Sequence, residues 1–529
     1  MPTHSTKSRA RKSVISESSA SIQNSGPVLS RCESALSKRV FHVSSIAILL
    51  ASALLRLLQL DLRPLHHDEG VNGLFLVRLL REGFYRYDPA NYHGPVLYYC
   101  ALALARLKHL FGARLDLGVA GLRLTPALFS IATTWLVLLL RRWIGDRAAL
   151  FAAALIALSP CAVYFGRDFI HESVLVFFTL ALVVSVLRYS ESRRPLHLFL
   201  VSVSAALMFA AKETAVISVA VLLLAWALSI IWIDHRKPHI LHSALSSIPI
   251  PPWPLFAASL LLFFLLFVLF FSSFFSNMRG VGDALVTFRL WQHTSTLSNR
   301  HPWYSYLTWM AVPELAILSI GTLGFLTNLW RARGRFAVFA GFWAVGVLAV
   351  YSLLPYKTPW LALNIVVPFG IVAGLGFDIL FAASEKLHSS FLPRVVVALT
   401  LLLAIWTAYQ SFQLNWLRFD DQSHPYVYAQ TPRAFLSFIE EINNAAARSG
   451  TGTSTSITVT SREYWPLPWY LRDYPRAGYY GHIVVPNEQL VIASEMQEPY
   501  LLPLLGSRYL RAGTYPLRPG VNLIMYVRQ

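Results

Sequence analysis

The stretch "LRPLHHDEGVNGLF" (62–75) sets His66, His67, Asp68 and Glu69 side by side. Adjacent carboxylates can share acid and base work, and the imidazoles beside them can bind or orient a substrate. A carboxylate held against hydrocarbon resists ionisation, which lifts its pKa towards the range of a useful general base. Asp68 is therefore the candidate base and Glu69 its acidic neighbour. The plain alternative is a solvated acidic loop. Position argues against it: the quartet follows the first long apolar run and precedes "GVNGLFLVRLL", an apolar stripe at helical spacing.

Further polar clusters punctuate the chain. "NYHGP" brings His93, "GRDFIHES" brings Arg167, His171 and Glu172, and "KET" brings Lys212. "LWQHTSTLSNRHPWYSY" brings His293, Arg300 and His301, and "PYKTPW" brings Lys357. Arg167, Lys212, Arg300 and Lys357 all fall at the ends of apolar runs, where a cation needs a partner. Arg matches phosphate oxygens by bidentate contact and Lys as a point charge, so the four read as a donor-phosphate clamp. Snorkelling, or pairing with Asp168 or Glu213, is the ordinary alternative. The histidines at 66, 67, 93, 171, 293 and 301, with Glu172, read as substrate-pocket residues. Their spacing matches no closed zinc pattern, so no cofactor is required and a divalent metal is only an alternative use of the same residues.

These clusters need a frame to gather them. The chain has 529 residues, 55% hydrophobic and 14% charged, against roughly 25% charged in a soluble protein. Its mean hydropathy is +0.50. Apolar runs long enough for a bilayer core of about 30 Å cover 40–60, 119–140, 148–165, 171–188, 196–211, 214–233, 254–276, 306–329, 338–354, 360–382 and 394–413. A polytopic α-helical membrane protein of about eleven spans follows.

The net charge of +18 is what basic cytoplasmic loops produce, and no nucleic-acid motif accompanies it. Cys32, Cys100 and Cys161 are too few and too scattered for a disulfide framework. Residues 1–39, Ser-rich and basic, read as a disordered cytoplasmic tail.

The stretch 93–112 would be a twelfth span, but counting it would put the arginine-bearing loops at 141–147, 193–194 and 331–335 outside. It is better read as an interfacial helix. The N-terminus is then cytoplasmic, and every unusual polar cluster lies on the outer face, within the loops 61–118 and 277–305 or at short turns. Residues 40–413 form the membrane module. Residues 414–529 change character, with alternating strands such as "SITVT" (455–459) and the aromatic run "EYWPLPWYLRDYP" (463–475), and read as a small extracytoplasmic α/β domain.

A base on the outer face, a phosphate clamp beside lipid and an interfacial helix point to one reaction. A lipid-linked phosphosugar gives its sugar to an acceptor arriving from outside. A neutralised lipid phosphate leaves without a general acid, so one carboxylate suffices, whereas a hydrolytic glycosidase uses two. A lipid-linked-sugar flippase component and a non-catalytic envelope assembly protein are the alternatives.

"HHDEGVNGLFLVRLLREGFYRYDP" with "YHGPVLYY" resembles the first outer loop of integral-membrane glycosyltransferases of the GT-C fold. The dolichyl-phosphate-mannose protein mannosyltransferase-like group and the aminoarabinose lipid A transferases share the order of "RRWIGDR", "YFGRDFIHES", "KET" and "HPWYSY". "PYKTPW" and "YWPLPWYLRDYP" are similar to the flippase-activity-associated subgroup. The resemblance covers about residues 45–475. It implies a polyprenyl-phosphate-sugar donor, inversion at the anomeric carbon, an extracytoplasmic protein, glycan or lipid acceptor, and the plasma membrane as location. Asp68 stands where such enzymes keep their catalytic Asp, Lys212 matches the lysine at the end of the fifth span, and His301 matches the histidine of the long loop. Where lipid A transferases carry Glu-Lys-Pro, this chain has His93-Gly94-Pro95. Lys357 or Arg167 would then stand in for the missing lysine, and the lipid A acceptor is not carried over.

Overall fold

The computed structural model describes Met1 and residues 36–91, 93–112, 117–236, 250–294, 300–331, 334–386 and 391–529. The tail read over 1–39 falls almost wholly outside the described residues. Among the described residues up to 236 the α-helices are α1 (Lys38–Leu57), α2 (His67–Glu82), α3 (Val96–Leu110), α4 (Val119–Leu139), α5 (Arg141–Ile144), α6 (Asp146–Leu158), α7 (Pro160–Gly166), α8 (Glu172–Ser192), α9 (Pro195–Phe209) and α10 (Ala215–Arg236).

Among the described residues, eight helices are long and apolar enough to cross a membrane. Two bent pairs, α6 with α7 at 57° and Ser305–Ala311 with Leu315–Arg331 at 118°, raise that to as many as ten. The run expected to span at 196–211 is a helix of only 15 residues, α9. Ser159 separates α6 from α7 and caps the latter, its hydroxyl accepting from the Ala162 N–H ahead of Pro160 at the first helical turn. The apolar run 148–165 is therefore bent rather than straight. The stretch 277–305, read as a loop, contains the helix Arg279–Thr294.

The centre of the bundle is the helix Ala362–Lys386, buried along most of its length. It packs on α6 and on Leu315–Arg331. Small residues let those backbones approach, with Ala148 and Ala152 facing Gly374, and Gly324 facing Gly376. α3 keeps Val96, Leu97, Tyr98, Ala101 and Leu102 inside against α2 and α4, and exposes Leu107, Leu110 and Phe111 at its far end.

Beyond the helix Phe391–Phe412 lies a small sheet domain. Its strands are β1 (Ile457–Val459), β2 (Ala477–Tyr479), β3 (Leu490–Ser494), β4 (Tyr509–Arg518) and β5 (Val521–Arg528), in the order β2-β1-β3-β5-β4. β1 runs parallel to β2 and β3, whereas β5 is antiparallel to β3 and β4. Phe435, Phe438 and Ile442 of the helix Phe435–Arg448 cover one face. Leu501 and Leu505 of Glu498–Leu505 cover the other. The sheet thus has apolar cover on both sides, as parallel pairing requires.

Candidate functional site

α2 begins with its own instructions. His66 is the N-cap, its Nδ1 accepting from the Asp68 N–H at 3.2 Å, and Glu69 reaches back to the His66 N–H at 2.9 Å. This reciprocal capping puts Asp68 in the first turn, where unpaired N–H groups and the helix dipole favour a negative charge.

The two adjacent carboxylates have opposite fates. Glu69 is fully buried. Arg123 of α4 donates to both of its oxygens, Nε at 2.8 Å and Nη2 at 2.7 Å, and the Phe169 N–H donates to Oε1 at 2.8 Å. Burial works to raise the Glu69 pKa, but the Arg123 guanidinium outweighs it and holds the carboxyl below its usual range. Arg123 also donates to the carbonyls of Leu60, Arg63 and Pro64, tying α4 to the chain that enters α2. Asp68 is half-buried and its carboxylate makes no hydrogen bond or ion pair among the described residues. Its charge acts on Arg518, Tyr428 and Tyr98.

The sheet domain sits directly over this turn. Leu65 N–H donates to the Tyr470 hydroxyl at 3.0 Å, and Gln430 donates to the Pro64 carbonyl at 3.0 Å. Gly73 lies so close to the Trp469 indole that a Cβ there would stand 2.5 Å from Cδ1. Arg518, at the end of β4, pairs with Glu463 and donates to His67 Nδ1 at 3.2 Å. Burial pushes the His67 imidazole down to about 4, with Arg518 adding to the effect and Asp68 opposing it.

A second cluster forms where α3 meets the turn before α10. Gly94 N–H donates to the Ala211 carbonyl, and Val96 N–H to that of Ala210. Only glycine fits at 94, because a Cβ would lie 2.1 Å from the Ala210 oxygen. That contact carries His93 to Glu213, Nδ1 to Oε2 at 3.1 Å. Lys212 pairs with Glu172, and His171 stacks beside His93 with ring centroids 4.8 Å apart. Tyr98 joins the clusters: its hydroxyl donates to Asn72 one turn after Asp68, and its ring meets His171 edge-on at 5.4 Å. On the far side, Trp360 meets His66 edge-on at 5.8 Å. Lys357, three residues before it, is buried and donates to the carbonyls of His301 and Leu354.

Compared with known proteins, residues 93–256 match the family described as dolichyl-phosphate-mannose-protein mannosyltransferase. ArnT from Cupriavidus metallidurans, solved bound to undecaprenyl phosphate, superposes with a TM-score of 0.56 at 15% identity, over 92% of this chain and 98% of that one. The oligosaccharyltransferase AglB from Archaeoglobus fulgidus, solved with an inhibitory peptide and a dolichol-phosphate, gives 0.53 at 13% identity, over 87% and 70%. The chain has the GT-C fold. No curated protein matches it in sequence.

On this GT-C scaffold the expected residues fall into distinct groups. Asp68, His66, His67, His93, His171, Glu172, Lys212, His301 and Lys357 all belong to the linked clusters just described. Arg167 does not. It is buried against the end of α1, donating to the carbonyls of Leu55 and Gln59, with its guanidinium over the Trp416 ring. Lys212 is buried and paired with Glu172. Glu69 is held by Arg123 and the Phe169 N–H. Arg300 is exposed and bridges through its backbone to Tyr356. His293 closes Arg279–Thr294, and its side chain lies outside the described residues.

Among the described residues no three His, Cys, Asp or Glu side chains converge as metal ligands. Sequence reasoning missed Arg123 and Arg518. Arg123 carried a signal, since an arginine inside an apolar run demands a partner.

Proposed function

We propose that this GT-C protein is a membrane glycosyltransferase that moves a sugar from a polyprenyl-phosphate-linked donor to an extracytoplasmic acceptor, with Asp68 as general base. One observation carries the reading. Of the carboxylates in and around these clusters, Glu69, Asp168, Glu172 and Glu213 are all paired with cations or His93, and Asp68 alone is left without a partner among the described residues. A base must keep a lone pair for the proton it takes.

In the reaction, the acceptor oxygen attacks the anomeric carbon from the face opposite the phosphate. The carbon–oxygen bond to phosphate breaks, polyprenyl phosphate leaves with the electron pair, and the acceptor proton passes to Asp68. The anomeric configuration inverts. Lys357 supplies charge to the leaving phosphate: two of its three N–H groups reach carbonyls and the third remains for a donor oxygen. Glu69 and Arg123 are positioning residues, holding α2 so that Asp68 meets the substrate. The relatives solved with undecaprenyl phosphate or dolichol-phosphate support this class of donor. Basic inner loops support an orientation with the N-terminus cytoplasmic and the sheet domain outside.

The test is made on the full chain in lipid nanodiscs, supplied with a panel of radiolabelled polyprenyl-phosphate sugars and crude envelope acceptors. Wild type should transfer sugar from one donor, and Asp68→Asn should lose about 10²–10⁴ of that rate. Equal transfer by both proteins would remove Asp68 from the mechanism.

A further inference from the structure

The surroundings of Asp68 also carry information about the acceptor. His67 lies against Trp465 with ring centroids 5.9 Å apart, and Trp465 continues to Tyr464 at 6.0 Å and Tyr479 at 5.1 Å from Tyr464. On the other side, His66 meets Trp360, which meets Tyr428 at 5.9 Å. Two aromatic arms thus leave the first turn of α2, and Trp465, Tyr464, Trp360 and Tyr428 are all only half-buried. Beside the Trp465 arm stands the Arg518–Glu463 pair, with the Glu463 side chain 49% exposed. His66 adds a buried ring nitrogen, Nε2, that has no hydrogen-bond partner among the described residues.

Each acceptor class would need different surroundings. An anionic headgroup needs an uncommitted cation, but Arg518 is already neutralised by Glu463. A lipid chain needs continuous apolar wall, and the charged pair interrupts it. A neutral polyol needs flat apolar faces for its C–H groups, beside donors and acceptors set close together with little net charge. Arg518 and Glu463 offer that combination. Guanidinium N–H groups remain after the bonds to His67 and Glu463, and carboxylate lone pairs remain beside them. His67, kept neutral by burial, adds no charge.

We propose that the acceptor is a carbohydrate, laid with one ring face on Trp465, its hydroxyls held by Arg518 and Glu463, and a further hydroxyl delivered to Asp68. This rests on the glycosyltransferase reading and names its acceptor class. The acceptor hydroxyl loses its proton to Asp68 as its oxygen takes the sugar from the lipid phosphate, so the product is a glycan one unit longer.

Binding is measured apart from chemistry, by calorimetric titration of the full-length Asp68→Asn protein in nanodiscs. The probes are neutral hexose and N-acetylhexosamine oligosaccharides, a Ser- and Thr-containing peptide, and nanodiscs containing anionic phospholipid. A neutral oligosaccharide should bind saturably. Adding Trp465→Ala should weaken it at least tenfold, Trp465→Phe should restore most of the affinity, and Glu463→Gln should weaken it several-fold. Binding of the peptide, or a response to anionic lipid alone, with no sugar bound, would overturn the proposal. So would oligosaccharide binding indifferent to both Trp465→Ala and Glu463→Gln. Failure of sugar release from every donor, with oligosaccharide binding intact, would instead count against Asp68 as a transferase base and leave the carbohydrate subsite standing.

Discussion

Arg123 grips both oxygens of Glu69, at 2.8 and 2.7 Å, while the carboxylate of Asp68 beside it is left without a partner among the described residues. One residue of the acidic pair thereby becomes part of the frame and the other stays available for chemistry. Substitution should separate them. Glu69→Ala strands a buried guanidinium and should lower stability by about 3–5 kcal/mol. Asp68→Asn should shift stability by no more than about 0.5 kcal/mol while abolishing most transfer. Thermal unfolding in detergent, run beside the transfer assay, checks both; equal loss of stability in the two variants would contradict the division.

The basic residues should divide in the same manner. Lys357→Ala removes a charge from the donor phosphate and should raise the donor KM at least tenfold. Arg167→Ala frees the Leu55 and Gln59 carbonyls and should destabilise by about 1–3 kcal/mol, with the donor KM of the folded fraction unmoved. Donor titrations of the two purified variants decide; a raised KM in Arg167→Ala alone would reverse the assignment.

His67 gives a pH signature. Its folded pKa, about 4, lies below its ordinary value of 6.5, so the unfolded chain binds the extra proton between those values. Its contribution to stability is present above pH 6.5 and is lost as pH falls towards 4. Asp168, raised by burial to about 6, acts with opposite sign, losing its contribution as pH rises through that value. Stability against pH, measured by denaturant unfolding from pH 4 to 7, should therefore lose up to one proton of positive slope in His67→Gln. An unchanged slope would show that His67 does not titrate differently on folding.

Contact between α2 and the sheet domain should be equally testable. Gly73→Ala drives a methyl into the Trp469 indole, an overpacking that should cost about 1–3 kcal/mol. Because α2 carries Asp68, transfer should fall while the helix content of the bundle holds. Circular dichroism and the transfer assay read the two effects, and undiminished transfer would mean that α2 tolerates displacement.

Much of the frame was legible in the sequence because hydropathy is local. Each apolar run announces its helix, and the β-rich composition after residue 414 announces a sheet. The bends left their marks as well, Ser159-Pro160 at the 57° break and Pro313-Glu314 at the 118° break, but each lies within a run long enough to read as one straight span. Asp68 could be picked out from its neighbours in the chain. The distinction between Asp68 and Glu69 could not, because the residue that makes it, Arg123, lies 54 positions away in a different helix. The partners of Arg167 and Lys212 were illegible for a related reason. A cation at the end of an apolar run looks alike whether it awaits a phosphate or already holds carbonyls or a glutamate.

The docking of the sheet domain on α2 has a consequence in time. Arg518 and His67 are 451 residues apart in the chain, so at about 5–20 residues per second of synthesis roughly 20–90 s separate their appearance. For that interval α2 exists without the domain that packs on it. A nascent chain therefore holds the helix that carries Asp68 before it holds the domain that packs on it.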